Sequence, residues 1–239
     1  MGILQLTTWE IAAAVVACIA LVLLAIVCLC VIQTLSMCRF RMSPVEDVEI
    51  DKIIKKDFIV QTTSDEEPVE AMPGGAYKVN DLAFVFTGRF GSECRAICSW
   101  IGPGPSTSLI TRFSGDVLLI TSDRNSLHEF PSPPKQFFQS YHKSDSIFEH
   151  HLEAEECIQK YLGVSPIAFE EPDDKWVVEM IRERARHVRS IPFWYAQIAY
   201  WAFFRRGRLD GLSIEEQHQR GIIDLVKAKR ELRIGADGP

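Results

Sequence analysis

Residues 11–32 read IAAAVVACIALVLLAIVCLCVI, twenty-two residues without a charge, a Gly or a Pro. An α-helix rises about 1.5 Å per residue, so this run is about 33 Å long, enough for a hydrocarbon core of about 30 Å. The run predicts a single transmembrane helix, with everything that follows tethered to a bilayer. A cleaved signal peptide is the competing reading. It wants a positive leader, a shorter apolar core and a small-residue cleavage site. Residues 1–10 hold no Lys or Arg, and the run is longer than that pattern.

Orientation follows the Lys/Arg bias near the ends of a span. Only Glu10, beside Trp9, precedes the run, whereas Arg39, Arg41, Lys52, Lys55 and Lys56 follow it. The expected localisation is therefore the membrane, single-pass, with residues 1–10 outside and the C-terminal domain cytoplasmic. The lack of any Asn-x-Ser/Thr sequon agrees with that side. Cys30 and Cys38 lie beside the inner interface and are candidates for S-acylation, with small apolar filling as the plainer reading.

Residues 33–76 are expected as a juxtamembrane segment and acidic linker. Within it, 44–72 carry nine acids against three Lys, which accounts for the whole net charge of −6. The rest of the chain is close to neutral and lacks the basic footprint of a nucleic-acid binder. The three Cys beyond residue 38 are too few and too scattered for a disulfide framework.

A soluble domain is expected over 77–234, followed by a frayed tail at 235–239. Its first part, 77–122, reads as β-rich. The runs 82–87 and 95–101 are strand-like, and 108–113 with 117–121 read as a hairpin across Ser114-Gly115-Asp116. Residues 131–234 read as helical. Pro133-Pro134 opens one helix through Tyr141. Ser146 with Glu149 caps a second that Gly163 stops, Asp173 caps a third, and Ser213 with Glu216 caps the last. Strands first and helices after predict an α+β fold: a small antiparallel sheet packed with several C-terminal helices.

Residues 191–204, IPFWYAQIAYWAFF, are seven-fourteenths aromatic and flanked by Arg. Fourteen residues of helix span only about 21 Å, too short to cross a bilayer. Aromatic rings flanked by guanidinium groups suit the headgroup layer. A core helix is the plain alternative, because the stretch is apolar nearly all round. Phe193, Trp194, Trp201, Phe203, Phe204, Arg205 and Arg206 are the candidate lipid- or partner-binding residues.

Catalytic signatures are absent from the sequence: there is no GxSxG, P-loop, GxGxxG, HExxH or CxxC. The one candidate metal set is His150, His151 and Glu155, in which His151 and Glu155 share a helix face at i, i+4. Solvated helix side chains explain the same residues. No cofactor is expected. The sequence thus points to a non-catalytic, membrane-anchored adaptor or scaffold whose partners are the lipid bilayer or a protein of a membrane complex. The alternatives are a membrane-tethered metal-dependent hydrolase using the His/Glu site, and an accessory subunit.

Overall fold

The computed structural model describes residues 7–45, 72–79, 83–90, 94–100, 105–124, 132–142, 147–170, 173–201, 204 and 206–236. The first helix, α1, spans Thr8–Cys38. Thr7 caps it: its side chain accepts from the Glu10 amide while the Glu10 carboxylate accepts from the Thr7 amide at 2.7 Å. That Thr-x-x-Glu capping box is legible in the sequence. Among the described residues α1 is the one helix long and apolar enough to cross a membrane. A signal sequence near the N-terminus would satisfy the same test of length and composition.

No Gly or Pro follows Ile32, so nothing halts the helix there, and it runs on to Cys38. Along this extension Thr34 is fully buried and Met37 is half-buried. Phe40, just past the helix, is buried among Val79, Val85, Ile110, Ile120, Phe138 and Trp176. The chain then enters strand β1, Met42–Pro44. The stretch read as juxtamembrane linker therefore begins as part of the folded body. The acidic run at 46–71 lies outside the described residues.

Seven strands among the described residues form one sheet in sequential order. After β1 come β2 (Met72–Val79), β3 (Ala83–Phe90), β4 (Cys94–Trp100), β5 (Pro105–Phe113), β6 (Val117–Ser122) and β7 (Gln136–Ser140). Successive pairs are antiparallel up to β6, and β7 lies parallel to β6. The expected hairpin is β5–β6, with Phe113 paired to Val117. The expected helix from Pro133 to Tyr141 is instead β7. Pro133 makes a turn, its carbonyl accepting from the Gln136 amide at 3.0 Å. The run Gln136–Ser140 is buried at every position, which suits a strand covered on both faces.

Strand alternation sorts the side chains into two layers. Ile110, Ile120 and Phe138, in register across β5, β6 and β7, face helix α3, Asp173–Ser190, through Trp176 and Val177. Leu119, Phe137, Phe113 and Val117 face helices α2 (Ile147–Leu162), α6 (Ile214–Gln219) and α7 (Leu225–Ala236). Two shorter helices, α4 (Trp194–Tyr200) and α5 (Arg206–Leu209), join the layers. The fold is α+β as expected, with a wider sheet whose β5–β7 portion is covered on both faces. Ser213 and Glu216 form the expected capping box. The last helix divides into α6 and α7 around Gly221, whose φ is 67°.

The β5–β6 turn places Gly115 at φ 74°, and a Cβ there would meet Leu232 Cδ2 at 2.8 Å. Gly115→Ala is expected to lower stability by about 1–2 kcal/mol, since both the left-handed backbone and the contact oppose a side chain. Urea denaturation checks this; an unchanged midpoint would mean the turn relaxes freely.

Candidate functional site

The aromatic segment folds as α4 behind a turn at Ile191-Pro192. It is two-sided. Ile198 is buried with Val188 of α3, and Met37 of α1 and Trp194 pack against them. The opposite side is open: Phe193 is 72% exposed, Phe204 58%, and Tyr195 and Tyr200 are also exposed. Tyr200 and Phe204 stack with ring centroids 5.4 Å apart. Trp201 is half-buried. Phe203 and Arg205 lie outside the described residues, and Arg206 is the first residue of α5. Neither sequence alternative describes the segment alone: one side is core, and the other displays rings.

Phe193 adopts φ 53°, ψ 38° as the N-cap residue of α4. A bulky non-glycine residue in the left-handed region costs about 1–2 kcal/mol. The strained residue is also the most exposed ring of the segment. No sequence pattern announced it.

The arginines around this face divide by role. Arg184 is buried, with its guanidinium 4.3 Å above the centre of the Phe138 ring. Arg182 donates to the Phe40 carbonyl at 3.1 Å and so ties α3 to the end of α1. Arg186 is exposed and pairs with Glu179. Arg189 is exposed, its Nη1 3.9 Å from Cys38 Sγ. Cys38 is the half-buried last residue of α1. Cys30 lies on α1, and its side chain is outside the described set.

The candidate metal residues separate. His150 stacks on Tyr141 at 3.9 Å, with its Nδ1 3.6 Å from Glu153 Oε2. Burial first, then the carboxylates of Glu216 and Glu153, push the Tyr141 hydroxyl up to about 12. His151 points the other way, fully buried against the sheet. Its Nδ1 is 2.7 Å from Thr121 Oγ1 and its Nε2 3.0 Å from Thr111 Oγ1. Glu155 Oε1 lies 3.4 Å from the same Nε2 and also accepts from the Thr111 hydroxyl. Among the described residues no group of three or more His, Cys, Asp and Glu is arranged to hold a metal ion.

These hydrogen bonds can be assigned one direction. Gln139 Nε2 donates to Thr121 Oγ1 at 2.9 Å and to the His150 carbonyl at 2.7 Å. Gln139 Oε1 accepts from the Ile214 amide at 3.2 Å. If Thr121 then donates to His151 Nδ1, the neutral imidazole carries its proton on Nε2 and donates to Thr111. Thr111 in turn donates to Glu155. Assigned from the network in this way, the tautomer satisfies every group in the chain. Burial pushes the Glu155 carboxyl up, but the His151 imidazole 3.4 Å away and the Thr111 hydroxyl outweigh it and hold the group below the ordinary range. The chain joins β5, β6 and β7 to α2 and α6. Its chemistry, as it stands, is that of a structural lock. The sequence offered His151 and Glu155 as neighbours; their threonine partners were hidden because they lie on distant strands.

The turn after β6 is similarly committed to the fold. Asp123 accepts from Ser106 Oγ at 2.8 Å and from the Thr107 amide at 2.9 Å. In comparisons with known proteins the chain matches no family model, no curated protein and no solved structure.

Proposed function

We propose that the protein is a single-pass membrane-anchored binding module without a catalytic site, with its domain on the cytoplasmic side. The aromatic–Arg face around α4 is its contact surface for lipid or for a protein partner. The observation that carries this reading is the packing of α4 against the inner end of α1 through Met37, Val188, Trp194 and Ile198. Met37 lies five residues past Ile32, about 7–8 Å along the helix axis. The headgroup layer is about 5–8 Å deep on each side of the hydrocarbon. If α1 spans the bilayer, the exposed rings of Phe193, Tyr195, Tyr200 and Phe204 therefore sit beside that layer. Of these, Tyr195 and Tyr200 carry the polar edge that is enriched there.

The uninterrupted run of α1 into residues that pack in the domain supports an anchor over a signal sequence, because cleavage within or just after the apolar run would cut a continuous helix. The hydrolase alternative keeps two of its expected ligands together, His151 and Glu155, and both already serve the buried network.

The test is alkaline carbonate extraction of the full chain from cell membranes, combined with the mass of its N-terminus. The expected result is a pelleted protein that retains residues 11–32. A soluble protein lacking that run would identify a signal sequence and overturn the reading.

A further inference from the structure

We infer that the inner end of α1 and the corner between α3 and α4 form a collar for anionic phospholipid headgroups of the leaflet that α1 leaves. The inference rests on α1 being the membrane anchor. Of the four α3 arginines, Arg182, Arg184 and Arg186 are engaged by Phe40, Phe138 and Glu179 within the protein. Arg189 is exposed and reaches the last residue of α1. Arg39, the C-cap of α1, is exposed beside it in sequence. Among the described residues neither Arg39 nor Arg189 has an acidic partner within 4.0 Å. Two guanidinium groups thus gather where the apolar helix ends.

Phe193 follows Arg189 by four positions and presents its ring outward at a strained backbone conformation. Arg39 lies seven residues past Ile32, about 10 Å along the axis, and a long arginine side chain reaches back from there to phosphate. The combination is two exposed cations at the end of the apolar helix, with an exposed aromatic ring four positions after one of them. Charge complementarity selects an anionic lipid over a zwitterionic one, because each arginine near an anionic surface gains attraction that a neutral headgroup layer lacks. Guanidinium forks also match phosphate oxygens in pairs.

The full chain is reconstituted into vesicles of mixed phosphatidylcholine and phosphatidylserine, extracted in mild detergent, and its retained lipids are quantified. The wild type is expected to retain phosphatidylserine well above its input ratio. Arg39→Gln/Arg189→Gln is expected to reduce the affinity underlying that enrichment by up to about thirty-fold. Both positions are exposed, so the change is not expected to unfold the domain, and a thermal melt checks that. Arg39→Lys/Arg189→Lys keeps the charge and should keep most of the enrichment. A wild type that integrates but retains the two lipids at their input ratio would overturn the collar and leave the anchor standing. A glutamine variant that enriches like the wild type would also overturn it. Failure of the full chain to integrate at all would overturn the anchor and the collar together.

Discussion

A chain truncated to begin at residue 43 will be less stable than one beginning at Gln33, by about 3 kcal/mol or more. The shorter chain loses Phe40, a core side chain that is only 9% exposed, and truncating a buried Phe side chain typically costs about 3–5 kcal/mol. It also loses the carbonyl that accepts from Arg182 and the first residue of β1, Met42, which pairs with Val79. An edge strand shortened in this way protects its neighbour less, and Val79 sits in the same core as Phe40. Urea denaturation of the two truncated chains, read by circular dichroism, makes the comparison. Phe40→Ala in the full chain should reproduce most of the loss. Equal midpoints would show that residues 33–42 only lean on the domain.

His151→Ala will cost about 3 kcal/mol or more. The substitution opens a cavity beneath α2 and leaves the buried Thr121 hydroxyl without its acceptor and the buried Thr111 hydroxyl without its donor. Buried groups stripped of a partner cost more than the lost bond, because they have also been taken out of water. Glu155 adds a pH dependence with a definite sign. Its carboxyl is held below the ordinary value of 4.5 in the folded state, so the folded state binds its proton less readily than the unfolded chain. That contribution is present above about pH 4.5 and is lost as pH falls through the lower folded value. Glu155→Gln should be less stable than the wild type at neutral pH and should lose less on acidification. Parallel stability profiles for the two below pH 5 would mean that Glu155 is not the group the network holds charged.

The long apolar helix α1 was legible from composition, because a run of that length without Gly or Pro has nothing to break it. Helix ends were also readable where a residue type marks them: Ser213 with Glu216 at the start of α6, and Gly163, with φ 73°, just after α2. The helix expected at Pro133 failed because a short apolar run reads alike as a buried strand or a helix, and only burial on both faces of Gln136–Ser140 decides it. The C-terminal extension of α1 was missed for a related reason. Thr34, Met37 and Phe40 look like an ordinary juxtamembrane sequence until Val188, Ile198 and Trp176 arrive from more than a hundred residues away. The His151 network was half visible, since i, i+4 spacing pairs His151 with Glu155, but long-range strand register supplies Thr111 and Thr121. The aromatic segment offered core or lipid as alternatives. Its division into a packed side and an open side depends on the partner helices, which local sequence does not encode.

With α1 as the anchor, the open side of α4 is proposed to lie in the headgroup layer beside the C-terminal end of α1. Spin labels at positions 193, 200 and 204 of the full chain in anionic vesicles, each introduced through a single cysteine in a cysteine-free background, test it most directly. Their relative accessibility to oxygen and to a water-soluble nickel complex measures depth. All three labels are expected to report headgroup depth, whereas a label at the exposed position 152 on α2, on the far side of the sheet, reports bulk water. Labels at 193, 200 and 204 as accessible to the nickel complex as the one at 152 would contradict it.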